Sequence, residues 1–186
     1  RVEVEVDVAN SMPNISIVGL PDNAVSEARE RVHSAIKNSG YSFPLGRVIV
    51  NLAPADIRKE GTNFDLPIAI GILKEQGIDI KDDLNTGFIG ELSLDGSLRK
   101  INGVLPLVSG LKDSGVTTVF VPYENAKEAA LVQGVKVFGA KHLGDIVNHY
   151  LETPIAETKV DINAYLESNA QVDFTFDFKN KRSWNI

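Results

Sequence analysis

Ala53-Pro54-Ala55-Asp56-Ile57-Arg58-Lys59-Glu60-Gly61-Thr62-Asn63-Phe64-Asp65-Leu66-Pro67-Ile68-Ala69-Ile70 is the stretch that decides how this chain is read. Residues 54–64 mix proline, glycine and charge with no hydrophobic period, the composition of a loop. Asp65 can cap a helix that begins near Leu66, and Pro67 suits its first turn, where a missing N–H breaks no bond. From Leu66 to about Glu75 the helix is apolar nearly all round, with Ile68, Ala69, Ile70, Ile72 and Leu73 leaving little polar face. A helix of that kind is covered on most sides. It predicts a central element with structure in front of it and behind it, ended by Gly77.

Upstream, Val2, Val4, Val6 and Val8 alternate with Glu3, Glu5 and Asp7. Period two with β-branched residues predicts a strand buried on one face. Ser11-Met12-Pro13-Asn14 breaks it, and residues 15–20 form a second strand closed by Gly19 and Pro21. Asp22 or Asn23 caps a helix running to about Ser39. Its core stripe is Ala24, Ala28, Val32 and Ile36, and Glu27, Arg31 and Lys37 lie on a solvated face. Gly40 suits the left-handed position that follows. Residues 47–52 are apolar enough for a central strand.

Downstream, residues 87–94 and 97–101 flank Asp95-Gly96, a strong hairpin signal. Helices are predicted over 104–114, 124–132 and 143–151, and strands over 117–121 and 135–138. The sum is an α+β fold, a mixed β-sheet with helices packed mainly on one side of it. After Leu151 the character changes. Residues 152–171 are polar, with a weak helical patch at 162–166. Asp173-Phe174-Thr175-Phe176-Asp177-Phe178 alternates aromatic and polar side chains, and residues 179–186 are basic and patternless. The expectation is one domain over 1–151, its true start upstream of Arg1, and a linker or tail over 152–186.

Composition narrows the function. The 186 residues are 43% hydrophobic, carry a net charge of -6 and contain no cysteine. Thiol catalysis, disulfides and thiolate metal sites are therefore excluded, and absence of cysteine fits the cytoplasm. No apolar run is long enough to cross a membrane. The overall basic footprint of a nucleic-acid binder is missing, although local basic loops can still touch phosphate. There is no Gly-Lys dipeptide, so no Walker A loop, and no G-x-G-x-x-G. His33, His142 and His149 lack metalloprotease spacing. His142 and His149 fall seven apart on one helix without a third ligand, so no metal site is predicted. Asp82, Asp83 and Glu60 read as solvated loop acids.

A second segment matters beside the first. Gly90-Glu91-Leu92-Ser93-Leu94-Asp95-Gly96-Ser97-Leu98-Arg99-Lys100-Ile101-Asn102-Gly103-Val104 is a hairpin feeding a helix. Taken alone, both segments are ordinary αβ connections. Together with Val18-Gly19-Leu20-Pro21-Asp22-Asn23-Ala24-Val25, however, these long strings resemble the N-terminal Lon-protease-like domain of the ComM/YifB family of magnesium-chelatase-related AAA+ ATPases. The resemblance spans about residues 2–151. It implies a Lon-type fold, a hexameric full-length protein with ATP and magnesium held in an AAA+ module, and a role as a DNA motor in branch migration during natural transformation.

The resemblance also locates a protease site. Active Lon-type domains pair a serine nucleophile with a desolvated lysine base. The serine position falls on Asn63, after Lys59-Glu60-Gly61-Thr62, and the lysine position falls on Leu105, so both members of the dyad are lost. Two substitute pairs exist in principle: Ser93 with Lys100 on opposite arms of the hairpin, and Thr62 with Lys59. The leading expectation is a non-catalytic domain with no bound cofactor of its own. It would serve subunit assembly or DNA contact, with Arg58, Lys59, Arg99 and Lys100 as candidate contacts or simply solvated loop charges. The alternatives are a residual Ser/Thr-Lys peptidase and a chelatase role, the latter supported by no metal or tetrapyrrole cluster in the sequence.

Overall fold

A computed structural model describes residues 1–81, 84–165 and 167. Asp82, Asp83, and the aromatic and basic stretches expected over 173–178 and 179–186, lie outside the described residues. The valine-glutamate alternation becomes β1 (Glu3–Ala9), with its acids exposed and its valines half-buried. It pairs antiparallel with β3 (Arg47–Ala53), and β2 (Asn14–Val18) lies parallel to β3 on the other side. Parallel neighbours need a crossover. Here it is α1 (Asn23–Asn38), capped by Asp22, whose carboxylate accepts from the Val25 N–H at 2.8 Å. β2 stops two residues earlier than its composition suggests because Gly19 and Leu20 take positive φ, 101° and 56°. A Cβ at Gly19 would sit 2.2 Å from the Leu52 carbonyl oxygen, so only glycine lets the turn lie against β3.

α2 (Asp65–Glu75) is the central helix that its composition predicts. Leu66, Ile68, Ile72 and Leu73 are buried. Each such side chain contributes about 1.5–3 kcal/mol on burial. Asp65 is not its cap: that position is Phe64, without a side-chain bond, and Asp65 sits inside the first turn.

The second half separates from the first sheet. The single strand expected over 87–94 divides at Ile89-Gly90. β4 (Thr86–Phe88) joins β7 (Thr118–Pro122) and β8 (Lys136–Ala140) in an all-parallel sheet of order β4-β7-β8. β5 (Glu91–Leu92) and β6 (Leu98–Arg99) make a two-stranded ribbon. The fold is thus α+β with helices on its sheets, and the strands are shared among three sheets rather than one. Phe88, Phe120 and Phe138 occupy one register across the parallel sheet, with successive ring centroids 5.2 Å apart. α3 (Val104–Asp113) and α5 (Leu143–Leu151) form as expected, whereas the helix over 124–132 shrinks to a 3-10 turn, Tyr123–Asn125, and α4 (Ala126–Ala129). Past α5, residues 153–158 return along β8: Phe138 bridges Glu157, the Thr158 N–H donates to the Val137 carbonyl at 2.8 Å, and the Ile155 N–H to His149 Nδ1 at 3.0 Å. No helix among the described residues is long and apolar enough to cross a membrane.

Candidate functional site

The loop of residues 54–64 is sewn to the β2–α1 turn. The Lys59 N–H donates to the Leu20 carbonyl at 3.1 Å, and the Asp22 N–H donates to the Lys59 carbonyl at 3.0 Å. Asp22, already the cap of α1, also accepts from the Gly61 N–H at 3.2 Å. This seam decides the fate of Lys59. Its side chain turns inward, is 1% exposed, and donates from Nζ to the Pro54 carbonyl. The expectation that Lys59 is a solvated charge able to touch phosphate is therefore corrected: the docked loop seals it from solvent. Arg58 next to it stays exposed, its Nε 3.3 Å from the equally exposed Glu60.

The loop then joins the hairpin segment. The Gly90 N–H donates to the Asn63 carbonyl at 3.1 Å, and the Leu66 N–H to the Gly90 carbonyl at 3.0 Å. Thr62 Oγ1 donates to Glu91 Oε2 at 2.5 Å, and the Leu92 N–H donates to Asp65 Oδ2 at 3.1 Å. Two strings far apart in sequence thus meet along one line. Asp65, fully buried, is the anchor of that line. Arg31 grips it twice, Nε to Oδ2 at 2.7 Å and Nη2 to Oδ1 at 3.0 Å, and Nη2 also donates to the Ala24 carbonyl at 3.0 Å. Arg31 was expected on a solvated helix face, and it is instead the partner of a buried acid. Burial pushes the Asp65 carboxyl above its ordinary value, with Arg31 and the Leu92 N–H pulling it back. The bond to Asp65 raises Arg31 in turn and keeps it charged. One signal in the sequence could have found this pair: an acid at the head of a helix with hardly any polar face must meet a buried partner.

Asn63 and Leu105, the two positions where the Lon resemblance expects a dyad, have different surroundings. Asn63 is half-buried and lines a groove of about 470 Å³ between α2 and α3. Leu105 is half-buried in the first turn of α3 and is not part of that lining. The substitute pairs do not form. Ser93 Oγ accepts from Arg99 Nε at 2.6 Å, not from Lys100, which points to solvent. Thr62 is bonded to Glu91 and Lys59 to Pro54. His142 Nε2 meets the Asp95 carbonyl at 2.8 Å, and His149 packs on Phe120 and Phe138, so the two histidines serve different neighbours. The hairpin tip is held by His142 and by α1. A Cβ on Gly96 (φ 90°) would fall 2.3 Å from Ser39 Oγ. Asn125 was not foreseen: wholly buried, it accepts from the Ile101 N–H at 2.9 Å and donates to the Ile101 carbonyl at 2.8 Å, fixing the entry to α3.

The Gly61 N–H, the natural start of a phosphate cradle, is taken by the Asp22 carboxylate, and no Gly-Lys pair is present.

These features define an α+β domain of three small sheets whose two conspicuous segments are bonded to each other. The chain belongs to the family described as subunit ChlI of Mg-chelatase, whose model matches residues 4–125. It is 42% identical over 147 residues to the competence protein ComM of Haemophilus influenzae, covering 78% of this chain and 29% of that one. It is 39% identical over 162 residues to YifB of Salmonella typhimurium, covering 84% and 32%. Lon protease 2 of Bacillus subtilis is 26% identical over 182 residues, covering 88% and 32%. The chain therefore spans about a third of the length of these relatives.

Proposed function

We propose that this chain is the non-catalytic, Lon-like accessory domain of a hexameric AAA+ ATPase of the ComM/YifB type. Its part is subunit assembly or DNA contact during DNA processing such as branch migration in transformation. Residues 1–151 are the domain, and 152–186 lead toward the ATPase module, where ATP and magnesium are held. The protein works in the cytoplasm, where its DNA substrate lies. The observation that carries the reading is Asn63. It lines the groove at the position where the resemblance to Lon puts the nucleophile, and an amide cannot be acylated and turned over as a hydroxyl can. The satisfied state of Ser93, Thr62 and Lys59 supports the same view.

Arg58, Arg99 and Lys100 are the contact candidates, all exposed, and Lys59 is not one of them. Replacing the three by alanine in the full-length protein should weaken DNA binding and flatten its salt dependence by roughly one unit of slope per lost phosphate contact. The broader test deletes the domain and measures hexamer formation by sedimentation and branch migration on a synthetic junction. If both survive intact, the accessory role is wrong. Turnover of a fluorogenic peptide that disappears in Ser93→Ala or Lys100→Ala would restore the peptidase alternative.

A further inference from the structure

Asn102-Gly103 is the one Asn-Gly pair in the 186 residues. It forms the joint between the β5–β6 ribbon and α3. On one side Ile101 is buried, and Asn125 holds both its N–H and its carbonyl. On the other side the buried Val104 opens the helix. Asn102 and Gly103 themselves are exposed. Among the described residues, none accepts from the Gly103 N–H and none bonds the Asn102 amide. Glycine has no Cβ to screen its nitrogen, and one built on Gly103 would meet nothing closer than Pro106 Cγ at 3.8 Å. A side-chain amide in water is thus followed by an unengaged, unscreened main-chain nitrogen.

Comparable pairs elsewhere are locked. The Ser11 N–H donates to the Ala9 carbonyl at 2.9 Å, and the Ser39 N–H to the Ala35 carbonyl at 2.9 Å, so the nitrogens that follow Asn10 and Asn38 are occupied. The Asn38 amide also donates to the Leu94 carbonyl at 2.7 Å. In Asp95-Gly96 the glycine N–H donates to the Ser93 carbonyl at 2.9 Å, and the carboxylate accepts from the Ser97 N–H at 2.9 Å.

We propose that Asn102 is a site of spontaneous deamidation and of main-chain isomerisation to isoaspartate. Solvent hydroxide takes the Gly103 amide proton, and the nitrogen attacks Asn102 Cγ. The new N–C bond closes a cyclic succinimide. The Cγ–Nδ2 bond breaks, and Nδ2 leaves as ammonia after taking a proton from water. Water then opens the ring. Cleavage of the new N–Cγ bond leaves aspartate, whereas cleavage of the original main-chain N–C bond leaves isoaspartate, with the chain running through Cγ. Nothing is oxidised or reduced, and water is the only co-reactant. The two products act on α3 in opposite ways. Its first turn has no side-chain cap, so a carboxylate at Asn102 favours it. Isoaspartate instead inserts a methylene between two fixed points, Ile101 and Val104, and displaces the helix entry. The inference is independent of the accessory role, because it needs no DNA, nucleotide or partner.

The test incubates the folded 186-residue chain at mildly alkaline pH and follows it by peptide mass spectrometry. The Asn102 peptide should gain the mass difference between amide and carboxyl at least tenfold faster than the Asn10 and Asn38 peptides. In urea that gap should narrow, because unfolding frees the nitrogens of Ser11 and Ser39. Isoaspartyl methyltransferase with labelled S-adenosylmethionine should label the aged chain, and Asn102→Ser should remove most of the label. Asn102→Asp supplies one product without ageing and should melt no lower than the parent, while the isoaspartate fraction melts lower. An Asn102 that ages no faster than Asn38 in the folded chain overturns the proposal, as does methyl label undiminished in Asn102→Ser. A gap unchanged by urea would trace the reaction to sequence alone and overturn the structural assignment, and an isoaspartate fraction that melts with the parent would overturn the effect on α3.

Discussion

The loop of residues 54–64 and the β5–β6 hairpin carry similar basic pairs, Arg58-Lys59 and Arg99-Lys100, yet they treat them in opposite ways. In the loop, both main-chain groups of Lys59 are bonded to the β2–α1 turn, and the amine has no course but inward. In the hairpin, the ribbon is two residues wide and its tip is held from one side by α1 and His142, so Arg99 and Lys100 stay in water. What separates the two is not residue type but what the flanking backbone is bonded to. Burial of a charge follows from the docking of its neighbours, and solvation follows from the lack of it.

That contrast is most exposed to challenge at Asp65. Asp65→Ala leaves half-buried Arg31 with only the Ala24 carbonyl and the exposed Glu27, 3.9 Å away, and frees the Leu92 N–H. Breaking one side of a buried pair costs about 3–5 kcal/mol, and urea unfolding should show a loss in that range. A loss below about 1 kcal/mol would mean that the line joining loop to hairpin carries no stability. Asn125 is the hairpin segment's own buried anchor. Asn125→Ala leaves the N–H and carbonyl of Ile101 unmatched inside the protein. Each unmatched group costs about 1–3 kcal/mol unless water reaches it, so a combined loss of about 2 kcal/mol or more is expected in the same experiment. A neutral result would make the hairpin solvated throughout and sharpen the contrast.

The sequence reveals the elements better than the joints. The period-two valines, the all-apolar helix and the Asp95-Gly96 turn are each local signals, and each appears where its pattern places it. Arg31 could not be placed that way. It lies on the polar side of an amphipathic helix, and only the arrival of Asp65, 34 residues later in the chain, makes that side an interior. The break at Ile89-Gly90 is equally non-local. The run over 87–94 reads as one strand, but Gly90 spends its main-chain bonds on Asn63 and Leu66, which diverts the chain from one sheet to another. Of the candidate site, Asn63 and Leu105 were singled out through the family strings, as expected dyad positions. The groove was not, because its walls come from two sheets.

A smaller effect compares the two lysines directly. Lys59→Met keeps the stem and removes the amine, losing the bond to the Pro54 carbonyl, which lies at an exposed residue and can turn to water. The expected cost is about 1 kcal/mol. Lys100→Met removes only a solvated charge and should change stability by less than about 0.5 kcal/mol. On the proposed DNA contact, affinity should move the other way, unaffected by Lys59→Met and lowered by Lys100→Met. Equal responses in either measurement would erase the distinction between loop and hairpin.

The subtlest test uses a polar group outside both segments, half-buried among aromatic rings. His149 lies edge-on to Phe120 and Phe138, with centroids 5.0 and 4.9 Å away, and its Nδ1 accepts the Ile155 N–H. Burial lowers its pKa from the ordinary 6.5. A group whose folded value is depressed is protonated more readily when unfolded, so the unfolded chain takes up protons first on acidification. The stability it contributes is complete above the ordinary value and drains away as pH falls through the folded one. The charged ring must also surrender its bond from Ile155, since Nδ1 then carries a proton. Melts from pH 8 down to 5 should therefore show a decline below about 6.5 that is shallower in His149→Phe, which is insensitive to pH at this site. Hydrogen exchange should place the early opening in residues 153–158, the segment the imidazole holds against β8. A decline of the same depth in the variant would assign the acid sensitivity to another group.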